Sequence, residues 1–90
     1  MTREEIMEMD EEALNRAIHK ELFGYDWLPF FSPNYSADIS AAWKVEERIK
    51  ELNLQTEYTY KLIDITLGGF TAIHATPSEK CKAALLTMID

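Results

Sequence analysis

The sequence predicts an α+β domain: a small antiparallel three-stranded sheet packed with helices, in the order helix, helix, strand, strand, strand, helix. Three observations lead there. Up to residue 53 the apolar residues recur at helical spacing. From Leu54 to Leu67 they alternate with polar residues, as in a half-buried strand. "TPSE", Thr76 to Glu79, then opens a last amphipathic segment as a capping box with proline at the first helical position. A sheet with helices packed on it accommodates all three.

Each element has its own signal. Thr2 to Glu5 reads T-x-x-E, a capping box for a first turn at 3–9. Asp10 is a second cap, and Leu14, Ile18 and Leu22, with Ala13 and Ala17 beside them, form one face of a helix over 11–23. Gly24 ends it in the left-handed conformation. Ser36 is the expected cap of the next helix, with Asp38 in its first turn. Ile39, Ala42, Trp43, Ile49 and Leu52 form its predicted buried stripe, and Asn53 its stop.

Leu54, Thr56, Tyr58, Tyr60 and Leu62 then lie on one side of a first strand. The parity flips to Ile63, Ile65 and Leu67, which implies a turn or bulge near Lys61–Leu62. Gly68-Gly69 reads as a two-residue hairpin turn, with positive φ at Gly69, and Phe70 to Ala75 as the third strand. Cys81, Ala84, Leu85, Met88 and Ile89 form the inner face of the last helix.

The 90 residues make one domain, 1–90. A chain this short buries roughly 60–65% of its unfolded surface, so self-association is expected. Sixteen acids against nine bases give a formal charge of −7. That argues against duplex nucleic acid, which needs many Lys and Arg contacts to phosphate. Cys81 is the one cysteine, so no internal disulfide forms and a reducing cytosol fits. Neither a membrane-spanning run nor a secretion leader is read.

"YSADISAAWKVEERI" (Tyr35–Ile49) resembles the signature segment of the phage ABA-sandwich domain family of small bacteriophage and prophage proteins. "LNRAIHKELFGYDW" (Leu14–Trp27) and "ATPSEKCKAALLTMI" (Ala75–Ile89) extend the resemblance over most of the chain. It implies a phage origin, an α/β sandwich and the cytoplasm of the infected host. It brings no catalytic mechanism. In size and expected self-association the chain is also similar to phage proteins of several unrelated folds that sequester nucleotide immune signals. That likeness is one of analogy.

Seven of the twenty-one residues from Phe23 to Trp43 are aromatic. Trp43 is assigned to the core by its place on the stripe, and Phe23, Leu28 and Phe30 plug the helix pair. Tyr25, Trp27, Phe31 and Tyr35 fit either packing or recognition, since Tyr and Trp carry a polar handle. The loop runs into a helix start, where amides near Ser36, Ala37 and Asp38 form an anion site by geometry. Asp38 suits ribose hydroxyls or an amine. Lys80 and Lys82 read as a solvated face or as phosphate contacts. The expected ligand is a small nucleotide-type signal, ADP-ribose-derived or cyclic, held by a homo-oligomer. The alternatives are an adaptor that docks its aromatic loop on a protein, and a phosphoesterase of the same signal.

No catalytic residue is assigned. Cys81 reads as a small buried apolar residue. Asp26, Asp38 and Asp64 each have a simpler role in a turn, a helix start or a strand. No spacing suggests a metal site, a cofactor or a phosphate-binding glycine loop.

Overall fold

Thr76 and Glu79 behave as their spacing predicts. The Thr76 N–H donates to Oε1 of Glu79 at 2.9 Å, and the Glu79 N–H donates to Oγ1 of Thr76 at 3.1 Å. The helix that follows is the hub of the molecule. The structure, a computed structural model, describes residues 1–24 and 34–89. These form α1 (Arg3–Glu8), α2 (Glu11–Glu21), α3 (Ile39–Glu51), α4 (Gln55–Thr66), α5 (Gly69–Ile73) and α6 (Pro77–Ile89). Helix α6 packs against α1, α2, α3 and α4. Seven of its residues are buried, from Lys80 and Cys81 through Ala83 to Thr87. A helix apolar on nearly every side belongs inside a fold, and the small side chains of Cys81, Ala83 and Ala84 let neighbouring helices come close.

The capping residues of the first two helices hold as well. Thr2 and Glu5 make the reciprocal capping box of α1, and the Asp10 carboxylate accepts from the Ala13 N–H at 2.9 Å. Ile6, Leu14, Ile18 and Leu22 pack into the core. Gly24 has φ +74° just past α2. Arg48 of α3 donates from Nε to the Leu22 carbonyl at 3.1 Å, placing a cation at the negative end of α2. Helix α3 ends as a Schellman motif. The Asn53 N–H donates to the Lys50 carbonyl and the Leu54 N–H to the Ile49 carbonyl, both at 3.0 Å, with Asn53 left-handed at φ 58°.

The predicted sheet is corrected: the described residues form helices and no strand. Residues 54–67 are α4 and its cap. Leu54, Tyr58 and Leu62 satisfy a period of two and a spacing of four at once, so alternation and helix could not be told apart from them. The flip of parity after Leu62 is the three-residue step to Ile65 on the same helical face. Tyr60, placed with Leu62 by alternation, points away and is 69% exposed. The hydroxyls of Thr59 and Thr66 donate to the carbonyls of Gln55 and Leu62 at 2.7 and 2.6 Å. That bond lets a β-branched polar residue sit in a helix.

Gly68-Gly69 is likewise no hairpin turn. It joins α4 to α5, and the left-handed residue is Leu67, at φ 62°. Gly69 begins α5 without positive φ.

Candidate functional site

Three groups of residues bear on function: the start of α3, the outer face of α3, and the ion pair between α3 and α6.

The start of α3 is tied to α2. Asn15 Oδ1 accepts from the Ser36 N–H at 2.9 Å. It also lies 2.9 Å from Ser36 Oγ, which has a second acceptor in the Glu11 carbonyl at 3.2 Å. Asn15 Nδ2 donates to Asn34 Oδ1 at 2.8 Å. The Asn34 carbonyl takes the N–H groups of Ala37 and Asp38 at 3.3 and 2.9 Å. The amides of residues 36–38 therefore all have internal acceptors. The cap of α3 is Asp38, whose carboxylate accepts from the Ser40 N–H at 2.9 Å, and not Ser36. Ser36 is buried because it anchors one helix to another.

Tyr35 is also buried. Its ring stacks on Phe23 with centroids 5.5 Å apart and planes 13° apart, and its hydroxyl shares a 3.2 Å hydrogen bond with His19 Nδ1. Tyr25, Trp27 and Phe31 lie outside the described residues, as do Asp26, Leu28 and Phe30. Of the predicted ligand set, the structure brings Tyr35, Ser36, Ala37 and Asp38 together at the α2–α3 junction. It places Lys80 and Lys82 on α6.

Lys80 is neither a solvated nor a free cation. It is buried, and its Nζ lies 3.2 Å from Oε1 of Glu46. The Tyr58 hydroxyl donates to the other oxygen, Oε2, at 2.7 Å. Burial first, and then the hydrogen bond and charge of Glu46, push the Tyr58 phenol far above its ordinary value. Lys82 is half-buried. Cys81 is fully buried, and burial pushes its thiol up to about 12. It is protonated at neutral pH and poorly placed to act as a nucleophile.

The outer face of α3 holds what the sequence reading missed. Trp43 is 60% exposed and Ile39, one turn before it, 49%. The buried stripe is Ala41, Ala42, Val45 and Ile49. Ala42 and Ile49 lie on it as predicted and Leu52 is partly buried against the core, while Ala41 and Val45 take the places assigned to Ile39 and Trp43. Trp43 borders an open hollow lined by Glu46, Glu47 and Lys50. Its place between buried Ala42 and exposed Lys44 was the available clue.

Among the described residues, no three His, Cys, Asp or Glu gather to hold a metal ion, and no helix is long and apolar enough to cross a membrane. The described residues form a small helical domain in which no buried side-chain nitrogen or oxygen lacks a partner, with apolar side chains presented outside. The family model of the phage ABA sandwich domain matches residues 4–85, and the chain belongs to that family. The α/β sandwich that the resemblance implies is not what the described residues form. No curated protein and no solved structure matches the chain.

Proposed function

We propose that this phage-family protein works by association and not by catalysis, in the cytoplasm of the infected host, and that Trp43 anchors a protein partner. The observation behind this reading is the exposure of Trp43 together with Ile39 on a helix whose other face is core. Tryptophan is among the residues that dominate interface energies when seated in a partner's pocket. Lys44, Glu47 and Lys50 around it are exposed and charged, which is the anatomy of an interface rim. The partner is a host or phage protein with an apolar pocket for the indole. Trp43→Ala should abolish its capture from infected cells and leave the helical signal and Tm unchanged. Capture that survives the substitution overturns the reading.

The second reading is sequestration of a small nucleotide-type signal, ADP-ribose-derived or cyclic, by a homo-oligomer. The concentration of rings at Tyr25, Trp27 and Phe31 favours it, since stacking on a base contributes roughly 1–3 kcal/mol per base. The start of α3 favours it less, because its amides and Lys80 already have partners. The buried, protonated Cys81 lends the phosphoesterase alternative no support. Trp27→Ala separates the first two: it should release a retained nucleotide if sequestration is right and leave protein capture intact if it is not.

A further inference from the structure

Helix α4 is apolar on two opposite sides. Tyr58, Leu62, Ile65 and Thr66 face the core or lie partly buried against it. At about 100° per residue, Tyr60 and Ile63 lie about 60° apart on the far side, and Leu67 caps the helix. Phe70 and Ile73 continue the exposed set on α5, where the helical spacing puts them on one face. Leu67 is 90% exposed, Phe70 79%, Ile73 75% and Tyr60 69%. With whole aromatic side chains offering roughly 150–250 Å² each, the five residues expose on the order of 600–700 Å². The largest apolar patch on a typical monomer is roughly 300–600 Å². A standard interface buries about 800 Å² on each partner.

We infer that the α4–α5 face, Tyr60, Ile63, Leu67, Phe70 and Ile73, is the interface of a symmetric homodimer of this chain. Its area is close to what one side of a stable dimer needs. Charge selects the occupant. The five residues carry none, so two chains of formal charge −7 can meet there without opposing carboxylates at the centre. A strongly basic or acidic foreign surface gains nothing from an uncharged face. The nearest acid on α4, Asp64, is already paired with Arg3 at 2.7 Å.

Leu67 supplies an independent observation. It occupies the left-handed position at the end of α4, which glycine usually fills, and a residue with Cβ there costs roughly 1–2 kcal/mol. The sequence has glycine at the next two positions but keeps leucine at this one, with its side chain almost wholly in solvent. Backbone strain of this kind marks positions that serve a function. Here it holds an apolar side chain outward, where a second copy can cover it.

Sedimentation velocity from about 1 to 100 µM tests the assignment. The wild type should sediment as a dimer of the 10.4 kDa chain. The double variant Leu67→Glu/Phe70→Glu should be a monomer with unchanged helical circular dichroism. Should that variant fail to fold, Leu67→Gly decides, because it relieves the left-handed backbone while removing the side chain. It should raise the Tm of the monomeric form and weaken dimerisation about tenfold or more. A wild-type monomer at 100 µM overturns the inference. So does a folded double variant that stays dimeric, or a Leu67→Gly dimer of undiminished affinity. The face shares no residue with Trp43, so loss of one reading leaves the other standing.

Discussion

Lys80 Nζ and Glu46 Oε1 lie 3.2 Å apart, with the Lys80 side chain 10% and the Glu46 side chain 34% exposed. Two charges have been drawn into the boundary between α3 and α6, where desolvation opposes them. The pair holds because Tyr58 donates to the remaining carboxylate oxygen. It joins three helices through one carboxylate.

Glu46→Leu should be the most damaging single change in this group. It leaves the Lys80 ammonium buried without its counter-charge and the Tyr58 hydroxyl without its acceptor. Breaking a fully buried pair costs about 3–5 kcal/mol, and partial exposure of Glu46 lowers that to about 2–3 kcal/mol. Lys80→Met should cost less, since Glu46 keeps Tyr58 and reaches water. The double variant should recover most of the loss. Chemical denaturation of the three variants forms the cycle that checks this order.

Alkaline pH should weaken the fold. Burial raises Cys81 from the ordinary thiol value near 8.5 to about 12, and Tyr58 is raised further. Both groups are neutral when protonated. Between the unfolded and folded values the unfolded chain has lost the proton and the native chain retains it, so stability falls as pH rises. The contribution of Cys81 is fully present below about pH 8.5 and lost progressively up to about pH 12. Tyr58 adds to the loss above about pH 10. Thermal melts from pH 7 to 11 should show a declining Tm, and Cys81→Ala should flatten the decline. A Tm unchanged across that range would show that neither group is buried as described.

Asn15 should matter more than Ser36. Asn15→Ala strips the buried Ser36 N–H of its acceptor, which costs about 1–3 kcal/mol. Ser36→Ala loses only the hydroxyl, whose removal costs about 1 kcal/mol. Urea titration should rank them in that order. Equal effects would mean that the hydroxyl, and not the amide, carries the α2–α3 junction.

Asn53 is the fourth stability test. Its left-handed backbone suits asparagine or glycine, so Asn53→Gly should be neutral to within a few tenths of a kcal/mol. Asn53→Val should cost about 1–2 kcal/mol. A Tm insensitive to valine would place the stop of α3 elsewhere.

The parts of the fold legible in the sequence were those governed by local hydrogen bonds. Thr2 with Glu5, Asp10, Thr76 with Glu79, and Asn53 each act within four residues, so their spacing suffices. Residues 54–75 were misread because Leu54, Tyr58 and Leu62 obey both periods, and threonine, tyrosine and isoleucine carry strand propensity that packing on α6 overrides. The site was less legible still. Ser36 has the chemistry of a helix cap, yet its partner is Asn15, 21 residues away. Lys80 looked solvated because Glu46 is 34 residues distant in sequence. Trp43 looked like core because size alone does not show which face of α3 meets α6.

Native mass spectrometry of the protein recovered from infected cells, run beside Trp43→Ala, tests the association claim most directly. The expected result is a specific polypeptide, other than a second copy of this chain, bound to the wild type and missing from a folded Trp43→Ala protein. A foreign polypeptide retained equally by both, or a small molecule retained in its place and released unchanged on heating, would contradict the association claim.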